Sequence, residues 1–219
     1  MDFGVPDEHV AIRAAVRELC AAYADSYWRE LDRTHAYPTD FVRALTDAGW
    51  LGALIPTDYG GAGLGITEAS IILEEINHAG GNAATAHAQM YIMGTVLRHG
   101  SDDQKRRYLP GVARGELRLQ AFGVTEPDAG SETTRLKTIA VRRGDCYVVN
   151  GQKVWTSRAE HSDLLLLLAR TTPYEQLSDK TRGLSVFLVD LRQAVERGQI
   201  EIRPIQTMLN HHTTQLFIQ

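Results

Sequence analysis

The sequence predicts an α+β fold, with an all-helical domain over residues 1–117 followed by an antiparallel, barrel-like β-domain over residues 118–219. Three observations carry this reading. Apolar residues recur at helical spacing as far as about residue 110. From about Leu117 the pattern becomes a series of short strand-length runs. Turn residues separate those runs, with no helical pattern between them, which argues for antiparallel pairing over a doubly wound sheet. A chain of 219 residues with 43% hydrophobic and 23% charged content can bury a core in each half.

Residues 7–25 set Ile12, Val16, Leu19, Cys20 and Tyr23 on one helical face. Pro6 suits a first helical position, and Asp7 and Glu8 favour the positive end of the helix dipole. A second helix is expected from about Pro38, burying Phe41, Leu45 and Ala48 and stopping at Gly49. The third follows Thr67, aligns Ala69, Ile72, Leu73 and Ile76, and ends at Gly80-Gly81. A fourth, over roughly 83–99, stacks Ala86, Met90, Met93 and Leu97. Ser101-Asp102-Asp103-Gln104 forms a capping box, in which the serine hydroxyl and glutamine amide satisfy free backbone N–H groups reciprocally. The helix it opens is expected to end at Pro110.

Strands are expected over 119–124, 138–141, 146–149, 153–155, 164–168, 184–189, 200–205 and 216–218. Asn150-Gly151 reads as a type I′ hairpin turn, because both positions need positive φ. Arg143-Gly144-Asp145 is a second hairpin loop, and 173–181 is a polar exposed loop. There is no internal repeat or low-complexity segment.

The net charge of −4 gives no electrostatic reason to expect nucleic acid or an acidic membrane as partner. Cys20 and Cys146 stand in no metal-ligand or CxxC spacing, consistent with two ordinary thiols in a reducing compartment. Residues 1–20 lack a signal-peptide pattern, and the longest apolar run, 164–169, is too short to cross a bilayer. A soluble, cytoplasmic protein that acts on small molecules or other proteins is the expectation.

Two segments carry candidate chemistry. The first is Phe122-Gly123-Val124-Thr125-Glu126-Pro127-Asp128-Ala129-Gly130-Ser131, leaving the first strand. Glu126-Pro127 breaks the strand, Gly130 permits tight turning, and Thr125 and Ser131 add hydroxyls. Such a loop offers several N–H groups and hydroxyls to a polar ring edge or a pyrophosphate. Taken alone, its composition favours an ordinary Asx- or Pro-turn. The second is Asn150-Gly151-Gln152-Lys153-Val154-Trp155-Thr156-Ser157, where an indole and two hydroxyls could wall a planar cofactor. Alone, it reads as a core tryptophan with solvated neighbours.

Together these segments resemble the acyl-CoA dehydrogenase family, matching its V-T-E-P-x-A-G-S and N-G-x-K-x-W-[IT]-[TS] signatures in order and separation. Upstream, Gly49-Trp50-Leu51-Gly52, Ile55-Pro56, Tyr59-Gly60-Gly61-Ala62-Gly63-Leu64-Gly65 and Glu74-Glu75-Ile76 look like its helical-domain segments. The stretch from Gly100 to Pro110 looks like its approach to the β-domain. The resemblance spans almost the entire chain. It implies FAD as cofactor, with Phe122, Val124 and Thr125 along the flavin edge. It implies that Ser131, after Gly130, faces phosphate or ribose of cofactor or substrate. By the same resemblance Trp155 packs beside the isoalloxazine, and Thr156 and Ser157 donate near flavin N5. Many relatives carry threonine where this chain has Ser157, and either residue offers the hydroxyl. His87 and Tyr91, four residues apart on a helix that lines the family's acyl pocket, are expected to face the substrate tail.

The implied reaction is desaturation of an acyl-CoA thioester at Cα–Cβ, with hydride passing to the flavin and an electron-transfer flavoprotein reoxidising it. Full-length relatives are homo-oligomers, usually dimers of dimers. In the family a later helical bundle supplies the glutamate base, so that base is expected beyond Gln219, where residues 216–218 look like a strand cut off in mid-course. No catalytic residue is assigned within the chain. Two other readings share the scaffold: a flavin oxidase or monooxygenase, and a non-catalytic partner subunit of a full-length dehydrogenase.

Three weaker signals are set aside. Gly61-Ala62-Gly63-Leu64-Gly65 has Ile66 where a dinucleotide fingerprint needs its last glycine, so a loop is expected. Lys105-Arg106-Arg107 reads as a solvated helix face. His211-His212, inside a segment that departs from the family's Gly/Arg/Ser-rich sequence, reads as surface residues with no metal role.

Overall fold

A computed structural model describes residues 4–219, which form two compact units parted between Arg118 and Leu119. In the first, six helices follow one another: α1 (Asp7–Ala21), α2 (Asp25–Thr34), α3 (Thr39–Asp47), α4 (Ile66–His78), α5 (Ala84–His99) and α6 (Asp102–Ala113). Their core gathers Ile12, Val16 and Cys20 with Phe41, Leu45, Ile72 and Ile76, the faces the helical periodicity marks. A buried carboxylate joins α1 to α4, where the more exposed Arg13 and Arg17 donate to Glu75 at 2.7 and 2.9 Å. The capping box forms as expected, with Gln104 N–H donating to Ser101 Oγ at 3.2 Å and Ser101 N–H to Gln104 Oε1 at 2.9 Å.

Two helical features differ from the sequence reading. Helix α2 is unforeseen: it buries no residue fully, and Tyr27 and Trp28 hold it by edge-on contacts with Tyr23 and Phe41. Such an aromatic patch leaves no helical period to read. Helix α6 runs through Pro110 to Ala113. Proline's fixed φ is helical, so in the last turn only one N–H bond is lost, and burial of Leu109, Gly111 and Val112 holds the helix together.

The second unit is a seven-stranded sheet of β1 (Ala121–Gly123), β2 (Ile139–Arg143), β3 (Cys146–Ser157), β4 (Leu164–Arg170), β5 (Leu184–Asp190), β6 (Ile200–Ile205) and β7 (Thr213–Ile218). The strand order is β1-β4-β2-β3-β7-β6, with β5 on the other side of β4. The sheet is not closed, and it is mixed where antiparallel pairing was expected, since β1 and β4 run parallel with Ala121 opposite Leu165. The apolar run in β4 explains this, because the strand is buried along nearly its whole length and carries partners on both edges. One short helix, α7 (Leu191–Glu196), does intervene, capped by Asp190, which accepts from Gln193 N–H at 3.0 Å.

The Asn150-Gly151 hairpin does not exist. Strand β3 passes straight through it, and the turn lies at Gly144, whose φ is +63°. Gly151 serves close approach instead: a Cβ there would stand 2.3 Å from Thr138 Oγ1. At this point β3 changes partner, from Ile139 opposite Asn150 to Ile218 opposite Gly151. Strand β7 starts at Thr213, three residues before the expected run, and pairs with β6 on one edge and β3 on the other. No helix among the described residues is long and apolar enough to cross a membrane.

Candidate functional site

The two segments singled out from sequence meet in the β unit. Val154 N–H donates to Thr125 O at 2.9 Å, laying the loop after β1 against β3. Within that loop Glu126 and Ala129 exchange backbone bonds of 2.9 and 3.2 Å around Pro127-Asp128. Gly130 is exposed, a Cβ placed there would stand 3.9 Å from the Thr125 methyl group, and Ser131 after it lies at the surface. Phe122, Val124 and Thr125 are half-buried at the root of the loop.

An ion pair beneath the loop fixes it. Lys153 is fully buried and donates to Glu126 Oε1 at 2.8 Å and to Val124 O at 3.0 Å. Glu126 also accepts from the backbone N–H groups of Lys137 and Thr138 at 2.6 and 2.9 Å. Burial by itself would raise the Glu126 carboxyl, but these donors outweigh it and hold the group below the usual carboxylate range. For Lys153 burial is the larger effect and pushes the ammonium down, with Glu126 opposing. The lysine stem needs room, and Gly123 leaves it: a Cβ there would stand 3.3 Å from Lys153 Cγ.

Just past Lys153 the β3–β7 register shifts in a bulge between Lys153 and Thr156. Trp155 occupies it with φ of 61°, a left-handed conformation costly for a bulky residue, and presents an indole that is 57% exposed. Trp155 and Ser157 line an open groove of ≈ 520 Å³ with Thr207, Met208, Leu209, His211 and Thr213. Thr156, between them, is only 1% exposed. Its carbonyl accepts from Thr214 Oγ1 at 2.8 Å, and its own hydroxyl is buried with no hydrogen-bond partner among the described residues.

The structure thus brings Val124 and Thr125 against the strand that carries Trp155 and Ser157, leaves Gly130 and Ser131 exposed further along the loop, and turns Thr156 into the sheet. His87 and Tyr91 belong to the helical unit, where they sit together on the exposed face of α5 with ring centroids 5.0 Å apart. Sequence reasoning missed Lys153 and Glu126 as a pair and His211 as part of the groove. His211 is engaged with Ser157 Oγ at 3.0 Å, and His212 Nδ1 lies 3.4 Å from His161 Nε2, so neither is an idle surface residue. The groups His, Cys, Asp and Glu form no metal-binding cluster among the described residues.

The arrangement suits a flat, polar-edged cofactor: a strained exposed indole, a hydroxyl beside it, and a clamped loop offering exposed backbone and hydroxyl donors. Comparison with known proteins identifies the family. The family model described as "Acyl-CoA dehydrogenase, N-terminal domain" matches residues 6–116, and "Acyl-CoA dehydrogenase, middle domain" matches residues 121–219. Acyl-CoA dehydrogenase FadE12 of Mycobacterium tuberculosis is 36% identical over 166 residues, which is 75% of this chain and 42% of that protein. Glutaryl-CoA dehydrogenase of Desulfococcus multivorans is 33% identical over 198 residues, 88% of this chain and 49% of that protein. An acyl-CoA dehydrogenase structure from Geobacillus kaustophilus superposes with a TM-score of 0.88 at 26% identity, covering 100% of this chain and 57% of that one. The chain spans about half the length of the curated relatives it matches.

Proposed function

The chain belongs to the acyl-CoA dehydrogenase family, and on that premise we propose that it supplies the FAD-binding face of an oxidoreductase that desaturates acyl-CoA thioesters. The observation that carries this is the meeting of the Thr125–Ser131 loop with the Trp155 bulge, pinned by the buried Lys153–Glu126 pair.

Bound FAD supplies a two-electron acceptor for the hydride leaving the substrate's Cβ. This chain's residues hold and orient. Trp155 gives the ring system an apolar wall that excludes water from one side. Ser157 places a hydroxyl at the polar edge of the groove. Ser131 and the loop backbone around Gly130 face phosphate or ribose, while Phe122, Val124 and Thr125 border the ring edge. Because the loop is clamped before any ligand arrives, little reorganisation accompanies binding. Thr156 contributes from within the sheet, through the carbonyl that Thr214 secures. His87 and Tyr91 offer an exposed aromatic pair on α5 for the acyl tail, and an electron-transfer flavoprotein and further copies of the subunit are the proposed partners.

Anaerobic visible spectroscopy of the purified chain tests the reading. A bound flavin band that bleaches with an acyl-CoA panel supports both cofactor and substrate. A band that neither bleaches nor shifts with any thioester removes the substrate assignment, a band that shifts without bleaching keeps it and leaves the base outside this chain, and no flavin band after FAD addition removes the cofactor assignment.

A further inference from the structure

The segment after β6 departs from the family pattern, and it supplies the groove with a side chain the resemblance does not assign. His211 Nε2 lies 3.0 Å from Ser157 Oγ, and both residues line the groove beside Trp155. The rest of the lining from this segment, Thr207, Met208 and Leu209, carries no ionisable group. We propose that His211 is a positioning residue that sets the direction of the Ser157 hydroxyl, and so tunes how tightly the groove holds FAD.

The inference rests on the cofactor reading above and deepens it. A serine hydroxyl is one donor and two acceptors on a free rotor. Alone at the edge of an open groove, it would spend most of its time bonded to water. Fixed to an imidazole, it has one direction assigned. When Nε2 carries the hydrogen, Ser157 Oγ accepts from it and its own O–H is left for an acceptor in the groove. When Nε2 offers its lone pair, the O–H turns to His211 and the oxygen faces the groove as an acceptor. A neutral ring can serve both arrangements by changing tautomer, whereas a protonated ring can only donate. The ring is held neutral at pH 7: partial burial, with Arg158 and His212 nearby, pushes it below the ordinary imidazole value.

Geometry secures the pair from both sides. Arg158 N–H donates to His212 O at 2.7 Å, tying the residue after Ser157 to the residue after His211. Thr213 then pairs with Ser157 in the β3–β7 ladder. The backbone contacts hold whatever side chain stands at 211, so the histidine itself can be replaced while its loop stays in place.

The test is FAD titration, followed by flavin fluorescence, of the wild-type chain, H211A, H211Q, S157A and the H211A/S157A double variant. Loss of one oriented hydrogen bond predicts about a two- to tenfold rise in Kd for H211A. H211Q, which keeps a group able to donate and accept, should recover most of that loss. If His211 acts through Ser157, the double variant binds no more weakly than S157A alone. Unchanged affinity in H211A, or losses that simply add in the double variant, overturns the proposal. A drop in melting temperature in both H211A and H211Q that matches the drop in affinity would assign His211 to the fold and likewise overturn it. Wild-type chain that takes up no FAD fails the cofactor reading first, and the proposal falls with it.

Discussion

Lys153 shows how much one buried charge can organise. Its ammonium is held by the Val124 carbonyl and the Glu126 carboxylate, so removing it leaves a buried carboxylate without its counter-charge. Lys153→Met should therefore cost about 3–5 kcal/mol in urea denaturation, with part of that recovered when Glu126→Gln is added. Equal stability of the single variant and wild type would show that the pair does not clamp the loop. His161 offers a second residue-scale prediction. Burial first, then His212, Arg192 and Arg158, push it from 6.5 to about 4. A base whose folded pKa is depressed binds fewer protons in the folded state, so stability falls as pH drops from about 6.5 and stops falling near 4. His161→Phe should flatten that part of the pH–stability curve, and an unchanged slope would locate the acid sensitivity elsewhere.

At the scale of elements, strand β3 does work for which the sequence offers contradictory cues. Asn150-Gly151 carries a strong local turn signal, and the structure overrides it because Gly151 is where Thr138 of the neighbouring chain segment passes. Gly151→Ala should cost about 1–3 kcal/mol by overpacking, read as a lower denaturation midpoint, and an unperturbed midpoint would show that Thr138 gives way. Helical periods were legible wherever a stripe of aliphatic residues met the core, as in α1, α4 and α5. Helix α2, held by aromatic edges, was not. The unbroken leucines of β4 were read only as a strand, and parallel pairing depends on which distant strand arrives beside them, which no local pattern encodes. The same limit governed the site. Hydroxyls, glycines and the tryptophan could be picked out by motif. That Lys153 turns inward and that Trp155 sits in a bulge follow from a register shift against β7, about sixty residues further on.

Over the whole molecule, each unit has its own hydrophobic cluster, one built from α1, α3, α4 and α5 and the other from the sheet and α7. All the groove and loop residues proposed to hold FAD belong to the sheet unit. A ligand that binds only the folded form stabilises it by mass action, by about 2.7 kcal/mol at a hundredfold excess over Kd. The thermal midpoint followed in the strand signal should rise accordingly with FAD concentration, and a midpoint indifferent to FAD would place the cofactor elsewhere. One consequence of β3 concerns insertions and deletions. The strand is a ruler on which Gly151, Lys153, Trp155 and Ser157 hold separate duties at fixed steps. Substitution touches one duty at a time, but a single residue added between Gly151 and Lys153 would swing Lys153 to the opposite face of the sheet, away from Glu126. The exposed turn at Gly144, with nothing within 4 Å of a Cβ placed there, is where the strand pair can lengthen without that penalty.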